Sequence, residues 1–244
     1  MTGVQACSLP ILNTVWDLFL SEPYRDGGSG LNGYDMHGLR TAVHVDGSIN
    51  DPSAENKCWS VEVVIPFAAL YEYQKERRAP KNGEFYRMNF SRVQWKVDIK
   101  DNTYVKRTNE AGNVLPEDNW VWAPTGVINI HYPELWSFVF FSDDRDDAPC
   151  DITIPEDEYR KWELRKLYYA ENILFETTGS YSDSLTVLQE TLAAYAPNDF
   201  NKTVKALDYT IETTSHSYLI TCPSADGAHL LLLSSNGKVE KVTR

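Results

Sequence analysis

The chain has 244 residues, of which 42% are hydrophobic and 24% are charged, a composition typical of a folded globular protein with one or two domains. Its formal net charge of −12 argues against nucleic acid as a partner, because nucleic-acid binders need a basic surface that displaces counterions. The same charge disfavours docking on an anionic membrane, whereas a neutral ligand is compatible with it.

The first half of the chain predicts short β-strands joined by loops rich in Gly, Asn, Asp and Pro. Apolar or alternating runs predict strands over residues 15–20, 39–45, 58–65, 86–96 and 136–141. Pro66 ends the third strand, and a short helix is predicted over residues 67–75. This spacing indicates an antiparallel β-sandwich, jelly-roll or immunoglobulin-like, over residues 1–142 rather than βαβ units.

The longest predicted strand covers residues 86–96, where Met88, Phe90 and Arg92 share one face. The connections at residues 22–38 and 97–119 are predicted to be loops of unusual length. Loops of that length often carry functional residues.

An acidic, proline-containing linker is predicted over residues 143–155. After it, residues 156–177 contain neither Gly nor Pro and begin with acidic side chains, which predicts one long helix. Residues 167–175 are apolar nearly all round the helix, so we expect this second half to be well buried.

The remaining tail predicts a second helix and an antiparallel meander. The helix carries leucines at positions 185, 188 and 192, with Ser182 or Asp183 as its N-cap. Strand-like runs follow over residues 208–212, 217–221, 229–233 and 238–242. Asp226-Gly227 and Asn236-Gly237 predict hairpin turns between the last three. Residues 156–244 are therefore predicted to form a small α+β domain.

Motifs for catalysis or cofactor binding are absent from the sequence. It contains no GxSxG, HExxH, Walker or Rossmann pattern, and cysteines 7, 58, 150 and 222 follow no metal-binding or disulfide-framework spacing. Candidate carboxylates for glycoside hydrolysis are Glu62, Glu117, Asp118 and Glu134, but a pair at the required separation cannot be recognised from sequence. No catalytic residue, metal site or cofactor is predicted. The N-terminus predicts no signal peptide, and no segment predicts a membrane span.

The strongest functional signal is aromatic. Trp120 and Trp122 are two residues apart, so in an extended segment their indoles project to the same face. Both are core residues in one interpretation, because Trp buries a large area. In the other they form a flat platform that stacks on sugar rings. The predicted rim partners, which would hydrogen-bond the sugar hydroxyl groups, are Arg92, Gln94, Asn119 and His131.

Three motifs follow one another along the first half of the chain: WSVEVVIPFAAL at residues 59–70, PKNGEFYRMNFSRVQW at residues 80–95 and EDNWVWAPTGVINIHYPELWSFVFF at residues 117–141. In these motifs and their order the chain resembles the carbohydrate-binding module family 9 (CBM9). Runs at residues 12–28 and 39–52 extend the resemblance, which covers roughly residues 11–142. It implies a non-catalytic β-sandwich of a bacterial polysaccharide-degrading system that binds carbohydrate by aromatic stacking, with Trp120 or Trp122 in the platform.

The resemblance also implies features that this chain does not match. Some members hold structural Ca²⁺, but no residues here follow a calcium-binding pattern. Members begin with further strands, one of which supplies a second stacking aromatic, so the sandwich is expected to be incomplete at its N-terminus. An unpaired sheet edge favours aggregation or pairing with another chain. Full-length members are expected to be exported to the periplasm or the cell surface.

The tail from residue 156 is similar to C-terminal extensions of such proteins and, more weakly, to a pilin-like module; its partner is not predicted. The leading hypothesis is therefore non-catalytic carbohydrate binding in polysaccharide utilisation. A protein-interaction or assembly module and a glycoside-acting enzyme stay open as alternatives. The exposure of Trp120 and Trp122 is the observation that separates the first two.

Overall fold

The computed structural model describes residues 3–9, 13–21, 23, 27–74, 76–125, 131–145, 149, 152–195 and 202–244. The chain is mainly β with a few helices, as predicted, and the strands of the described residues pair antiparallel. It divides into two compact units. The first comprises Met1–Pro124 and Trp136–Asp143, and the second comprises Thr125–Leu135 and Asp144–Arg244.

The first unit consists of small antiparallel sheets. Its strands are β1 Gly3–Leu9, β2 Thr14–Leu20, β3 Gly30–Leu31, β4 Arg40–Asp46, β5 Cys58–Val64, β6 Phe85–Met88, β7 Ser91–Arg92, β8 Val97–Lys100, β9 Thr103–Lys106, β10 Trp120–Val121 and β11 Ser137–Phe140. Strands β1, β2 and β3 form one sheet, and β4–β5, β6–β11, β7–β10 and β8–β9 form pairs. Helix α1, Phe67–Tyr71, follows β5. The strands predicted near β2, β4, β5 and β11, and the short helix, are confirmed.

The predicted single strand over residues 86–96 is wrong. The structure divides this run into β6 and β7, which pair with β11 and β10 in two different sheets. Asn89 and Phe90 lie between the two strands, so Met88 does not share a sheet with Arg92. The alternation of side chains continues through the break, and only the pairing with two later segments shows where the chain changes sheet.

The predicted loop over residues 97–119 contains a β-hairpin formed by β8 and β9. Asp101 and Asn102 connect the strands with φ angles of 49° and 57°, the left-handed conformation that a two-residue type I′ turn requires at both positions. Asp and Asn both tolerate the left-handed region, so this pair suits such a turn. The prediction missed it because the surrounding residues are largely polar.

Among the residues of the first unit whose burial is described, few side chains are fully buried. Tyr34, Met36 and Ala69 form its buried cluster, against which Phe19, Leu39 and Ile65 pack. The Met36 backbone N–H donates a hydrogen bond of 2.9 Å to Asp17 Oδ2, which ties this cluster to β2. Most of the large apolar side chains that are exposed among the described residues belong to this unit.

The second unit packs two helices on a four-stranded meander. Its elements are α2 Glu156–Thr178, α3 Leu185–Tyr195, β12 Thr210–Thr213, β13 Tyr218–Pro223, β14 His229–Ser234 and β15 Val239–Thr243, and the strand order is sequential. The core joins both helices to β13 and β14 and contains Leu164, Leu167, Leu188, Leu192, Ile220, Leu231 and Leu233. The two predicted helices and the four predicted strands are confirmed.

Two details of these helices differ from the prediction. Burial in α2 centres on its middle, where Glu163 and Lys166 form an ion pair of 2.9 Å, whereas Phe175 is 37% exposed. The charged residues are tolerated there because each has a partner. The N-cap of α3 is Ser184, whose carbonyl oxygen accepts the first helical hydrogen bond, rather than Ser182 or Asp183.

Residues 125–135 are assigned by the sequence to the first domain, whereas their contacts group them with the second unit. A short 3₁₀ helix, Pro133–Leu135, holds Glu134 fully buried in that unit. The Tyr169 hydroxyl donates to Glu134 Oε1 at 2.7 Å, and the Trp162 indole N–H donates to the Glu134 carbonyl oxygen at 3.0 Å. These bonds fix the 3₁₀ helix on α2. The described part of the predicted linker, residues 143–145, 149 and 152–155, contains neither helix nor strand.

Candidate functional site

The two candidate tryptophans lie along the β7–β10 ladder of the first unit. Trp120 is paired with Arg92, and Val121 with Ser91. The same register continues beyond the strands, because the Trp122 backbone N–H donates to the Phe90 carbonyl oxygen at 3.0 Å. At the other end the Asp118 N–H donates to the Gln94 carbonyl oxygen at 2.7 Å.

Opposite residues of an antiparallel ladder point to the same face, and so do residues two apart on one strand. One face of this ladder therefore carries Phe90, Arg92, Gln94, Asp118, Trp120 and Trp122, and we call it the β7–β10 face. Its aromatic side chains are open to solvent: Trp120 is 61%, Trp122 48% and Phe90 54% exposed. Neither tryptophan is a core residue.

Phe90 orients Trp122 on this face. The two rings meet edge to face, with centroids 5.2 Å apart and planes at 73°. Such a contact contributes about 0.5–1.5 kcal/mol beyond the area that it buries. It fixes the Trp122 indole against the Phe90 ring, and about half of the Trp122 side chain stays exposed.

Arg92 is held in place from two directions. Its Nη2 donates a hydrogen bond to Gln94 Oε1, and its guanidinium lies over the Trp59 ring at 5.5 Å from the centroid. Trp59 is a half-buried residue of β5, so this contact links the guanidinium to a second strand pair. Stacking and a fixed hydrogen bond together reduce the side-chain freedom that a ligand contact would otherwise have to remove.

Two of the predicted rim residues are not on the β7–β10 face. Asn119 is exposed, but it lies between Asp118 and Trp120, and the alternation of the ladder places it on the opposite face. His131 belongs to the segment that the structure groups with the second unit. The predicted residues that the structure brings together are therefore Arg92, Gln94, Trp120 and Trp122.

Phe90 and Trp59 are site residues that the sequence prediction did not include. Phe90 could have been found, because it alternates with Arg92 and Gln94 in a run already predicted to be extended. Trp59 could not, since its contact with Arg92 joins two strands that are distant in sequence. Of the candidate carboxylates, Glu134 is fully buried, whereas Glu62, Glu117 and Asp118 are exposed.

A second cluster of polar residues lies at the turn between β13 and β14. Lys241 Nζ contacts Asp157 Oδ2 and Asp226 Oδ2, each at 2.8 Å, and the Ser224 hydroxyl donates to Asp157 Oδ2 at 2.8 Å. The Lys241 ammonium holds the pKa of Asp226 well below its usual range. Ser224 is buried and its hydroxyl is bonded to Asp157, so this cluster ties the start of α2 to the sheet.

Comparison with known proteins found no relative of this chain. No family model, curated protein or solved structure matches the chain. The resemblance to CBM9 therefore stays a prediction from the sequence motifs. Within the residues that the structure describes, no group of three or more His, Cys, Asp or Glu side chains could hold a metal ion. Across the same residues, none of the helices has the length and apolar character needed to cross a bilayer.

Proposed function

We propose that the first unit is a non-catalytic carbohydrate-binding domain, which holds sugar rings on the β7–β10 face. The observation that carries this proposal is the exposure of Trp120 and Trp122 on one face, beside Arg92 and Gln94. A pyranose presents C–H groups on a ring face and hydroxyl groups around its rim. The indoles offer an apolar surface to the first, and the guanidinium and amide offer hydrogen bonds to the second.

The open shape of the β7–β10 face supports a polymeric ligand. Trp120 and Trp122 are two residues apart on an extended strand, so their Cα atoms are separated by about 7 Å. That separation is comparable to the length of a sugar unit, and two neighbouring rings of a chain can stack on the two indoles. Polysaccharide utilisation is therefore the setting that we propose for this protein.

The proposal includes a CBM9-like sandwich for the first unit. The order of the three motifs supports it, as do the antiparallel pairings of β4–β5, β6–β11 and β7–β10, to which those motifs contribute strands. In this arrangement the motif around Trp59 supplies the support of the site, and the motifs around Arg92 and Trp120 supply the ligand contacts.

Trp120→Ala and Trp122→Ala test the stacking surface, each measured by affinity gel electrophoresis against a panel of polysaccharides. Removing one indole should weaken binding about 5- to 30-fold, because the buried apolar area of a side chain contributes about 1–2 kcal/mol. Trp16→Ala is the matched control: Trp16 is 47% exposed, close to the value for Trp122, and it lies on β2 in a different sheet. Its affinity should equal that of the wild type.

Two results would contradict the proposal. If no polysaccharide of the panel retards the wild-type protein, the proposed carbohydrate binding is contradicted. Retardation that survives both tryptophan substitutions but disappears in Trp16→Ala would move the site to the sheet of β2. Circular dichroism of each variant shows whether the fold is retained.

A second candidate function is protein assembly, which the exposed apolar side chains of the first unit favour. Val63, Val64 and Phe67 lie on or just after β5, and Val97, Ile99 and Tyr104 lie on the β8–β9 hairpin; all are exposed. Sedimentation of the protein over a hundredfold range of concentration separates the two functions. Association that is unaffected by Trp120→Ala and occurs without glycan binding would favour assembly over carbohydrate binding.

A further inference from the structure

We infer that the β7–β10 face binds an acidic sugar, a uronate whose carboxylate pairs with Arg92. This inference rests on the proposed function, because it names the class of sugar that the same face would take. It is carried by the hydrogen-bonding state of Arg92 and Gln94 and by their position beside Trp120.

The Arg92 guanidinium has no carboxylate partner in the described part of the chain. Its recorded contacts are Gln94 and the Trp59 ring. Other arginines of the first unit show the alternative: Arg78 holds Glu84 at 2.7 Å and Arg107 holds Asp98 at 2.9 Å. The charge of Arg92 is therefore available to a ligand, whereas those of Arg78 and Arg107 are already paired.

Most of the remaining hydrogen-bonding capacity of this pair is for donation. Gln94 Oε1 already accepts one bond from Arg92, whereas the amide nitrogen of Gln94 and the other N–H groups of Arg92 can donate to a ligand. A neutral hydroxyl both donates and accepts, but a carboxylate only accepts, with two oxygens. The group that best complements a guanidinium edge and an amide N–H₂ is a carboxylate.

The position of Arg92 suits a substituent on a stacked ring. Arg92 and Trp120 face each other in the ladder, with Cα atoms about 5.5 Å apart in a hydrogen-bonded pair. A uronate carries its carboxylate on the rim of the pyranose, beside the face that stacks. With the guanidinium near the Trp59 ring, its N–H groups can form two parallel hydrogen bonds to that carboxylate.

Asp118 is the carboxylate on the same face, opposite Gln94. It is diagonal to Arg92, at about 7–8 Å between Cα atoms, and forms no recorded ion pair with it. Its charge and the net charge of −12 both oppose a uronate, so the inference concerns the local contact with Arg92 at a salt concentration that screens more distant charges. The face therefore contains two nearby charges whose removal should change the affinity for an acidic sugar in opposite directions.

The test compares polygalacturonate and alginate with their neutral esters, methyl pectin and propylene glycol alginate, at about 0.15 M salt, where charges beyond roughly 8 Å are screened. Each pair shares a backbone and differs in its carboxylate. Arg92→Gln should weaken binding of the acidic polymer about two- to fivefold, within the range for an exposed ion pair. Asp118→Asn should strengthen it. Arg92→Gln should weaken binding of the ester by a smaller factor than binding of the acid, because the ester keeps the hydroxyl contacts and lacks the carboxylate charge.

Two controls separate local from general effects. Arg77→Gln removes the same charge at another exposed arginine of the first unit, and it should leave binding unchanged. Arg92→Lys keeps the charge but loses the planar, two-point contact, and it should restore only part of the affinity.

The outcomes distinguish this inference from the proposed function. Equal binding of acid and ester, or binding of a neutral polysaccharide alone, would overturn the acidic-sugar inference and leave carbohydrate binding standing. If neither these polymers nor the wider panel retards the protein, both the acidic-sugar inference and the proposed carbohydrate binding are contradicted. Selective loss of acid binding in Arg92→Gln, with retention of it in Arg77→Gln, is the result that we expect.

Discussion

At the scale of single residues, Glu171 links the structure of the second unit to pH. Its side chain is fully buried on α2, and its Oε2 accepts a hydrogen bond of 3.0 Å from the Ser182 backbone N–H. Burial raises the pKa of Glu171 to about 7, and the nearby Asp183 adds to the increase, whereas the Ser182 bond opposes it. The carboxyl group is therefore protonated in the folded protein at pH values where it ionises in the unfolded chain.

The sign of the resulting pH dependence follows from linkage. Because the folded pKa lies above the unfolded value of about 4.3, Glu171 contributes stability below that value and loses it as the pH rises through about 7. The unfolding free energy of the wild type should decrease by about 2 kcal/mol between pH 5 and pH 8 because of Glu171, and Glu171→Gln should lack this decrease. Urea denaturation of both proteins at the two pH values measures it; equal pH dependence in both would contradict the assignment.

The residues of the candidate site differ in whether the neighbouring sequence alone predicts their positions. The common face of Trp120 and Trp122 follows from their spacing of two, because extended backbone alternates. The sequence could not show that Asn119 points away from them, since that requires knowing that residue 119 continues the ladder. His131 is grouped with the second unit, in which its neighbours Tyr132 and Glu134 contact α2, and these long-range contacts leave no pattern near residue 131.

At the scale of elements, the second unit was the most predictable part. Helix α2 lacks Gly and Pro up to Gly179, and the Asp226-Gly227 and Asn236-Gly237 turns separate alternating strands, so local sequence defines each boundary. The run of residues 85–92 was not predictable in the same way. Both halves have strand character, and the change of sheet between β6 and β7 is decided by β11 and β10, more than 25 residues away.

The end of α2 gives an element-scale prediction. Gly179 has a φ of 76°, and its N–H donates to the Phe175 carbonyl oxygen at 2.8 Å, which closes the last turn. A Cβ there would meet no atom within 4 Å, so Gly179→Ala costs only backbone strain, about 1 kcal/mol. Gly179→Asn should cost less, because Asn tolerates the left-handed region. The exposed Glu176→Ala is the control, and thermal unfolding measures all three.

A loss for Gly179→Ala no larger than that for Glu176→Ala would contradict this account of the helix end. Backbone strain is the effect that the local geometry predicts for Gly179→Ala. The substituted side chain faces open space, and no other contact of residue 179 is removed.

At the scale of the whole molecule, the two units differ in how much they bury. The second has a continuous core in which Leu164, Ile220 and Leu231 are fully buried. In the first, the β7–β10 ladder contains two residues per strand and carries exposed side chains. Regions with few buried apolar contacts open at a lower free energy than core strands do.

Hydrogen exchange should therefore rank the elements. Amides of β13 and β14, which pair on both sides, and of the middle of α2 should exchange most slowly. Those of β7 and β10 should be among the fastest strand amides in the described residues. A carbohydrate that binds the β7–β10 face should slow them, because binding stabilises the closed state. Protection of β7 and β10 equal to that of β13 in the free protein would contradict this order.

The central claim is that Trp120 and Trp122 form the carbohydrate-binding surface. The most direct test follows the indole N–H signals of the seven tryptophans by ¹H–¹⁵N NMR, with each signal assigned by a single Trp→Phe substitution. Oligosaccharides derived from the polysaccharides of the panel are added one by one. We predict that one class of sugar shifts the Trp120 and Trp122 signals in a saturable manner and leaves the Trp16 signal unchanged. Saturable shifts at Trp16 with none at Trp120 or Trp122, or no shift with any sugar, would contradict the claim.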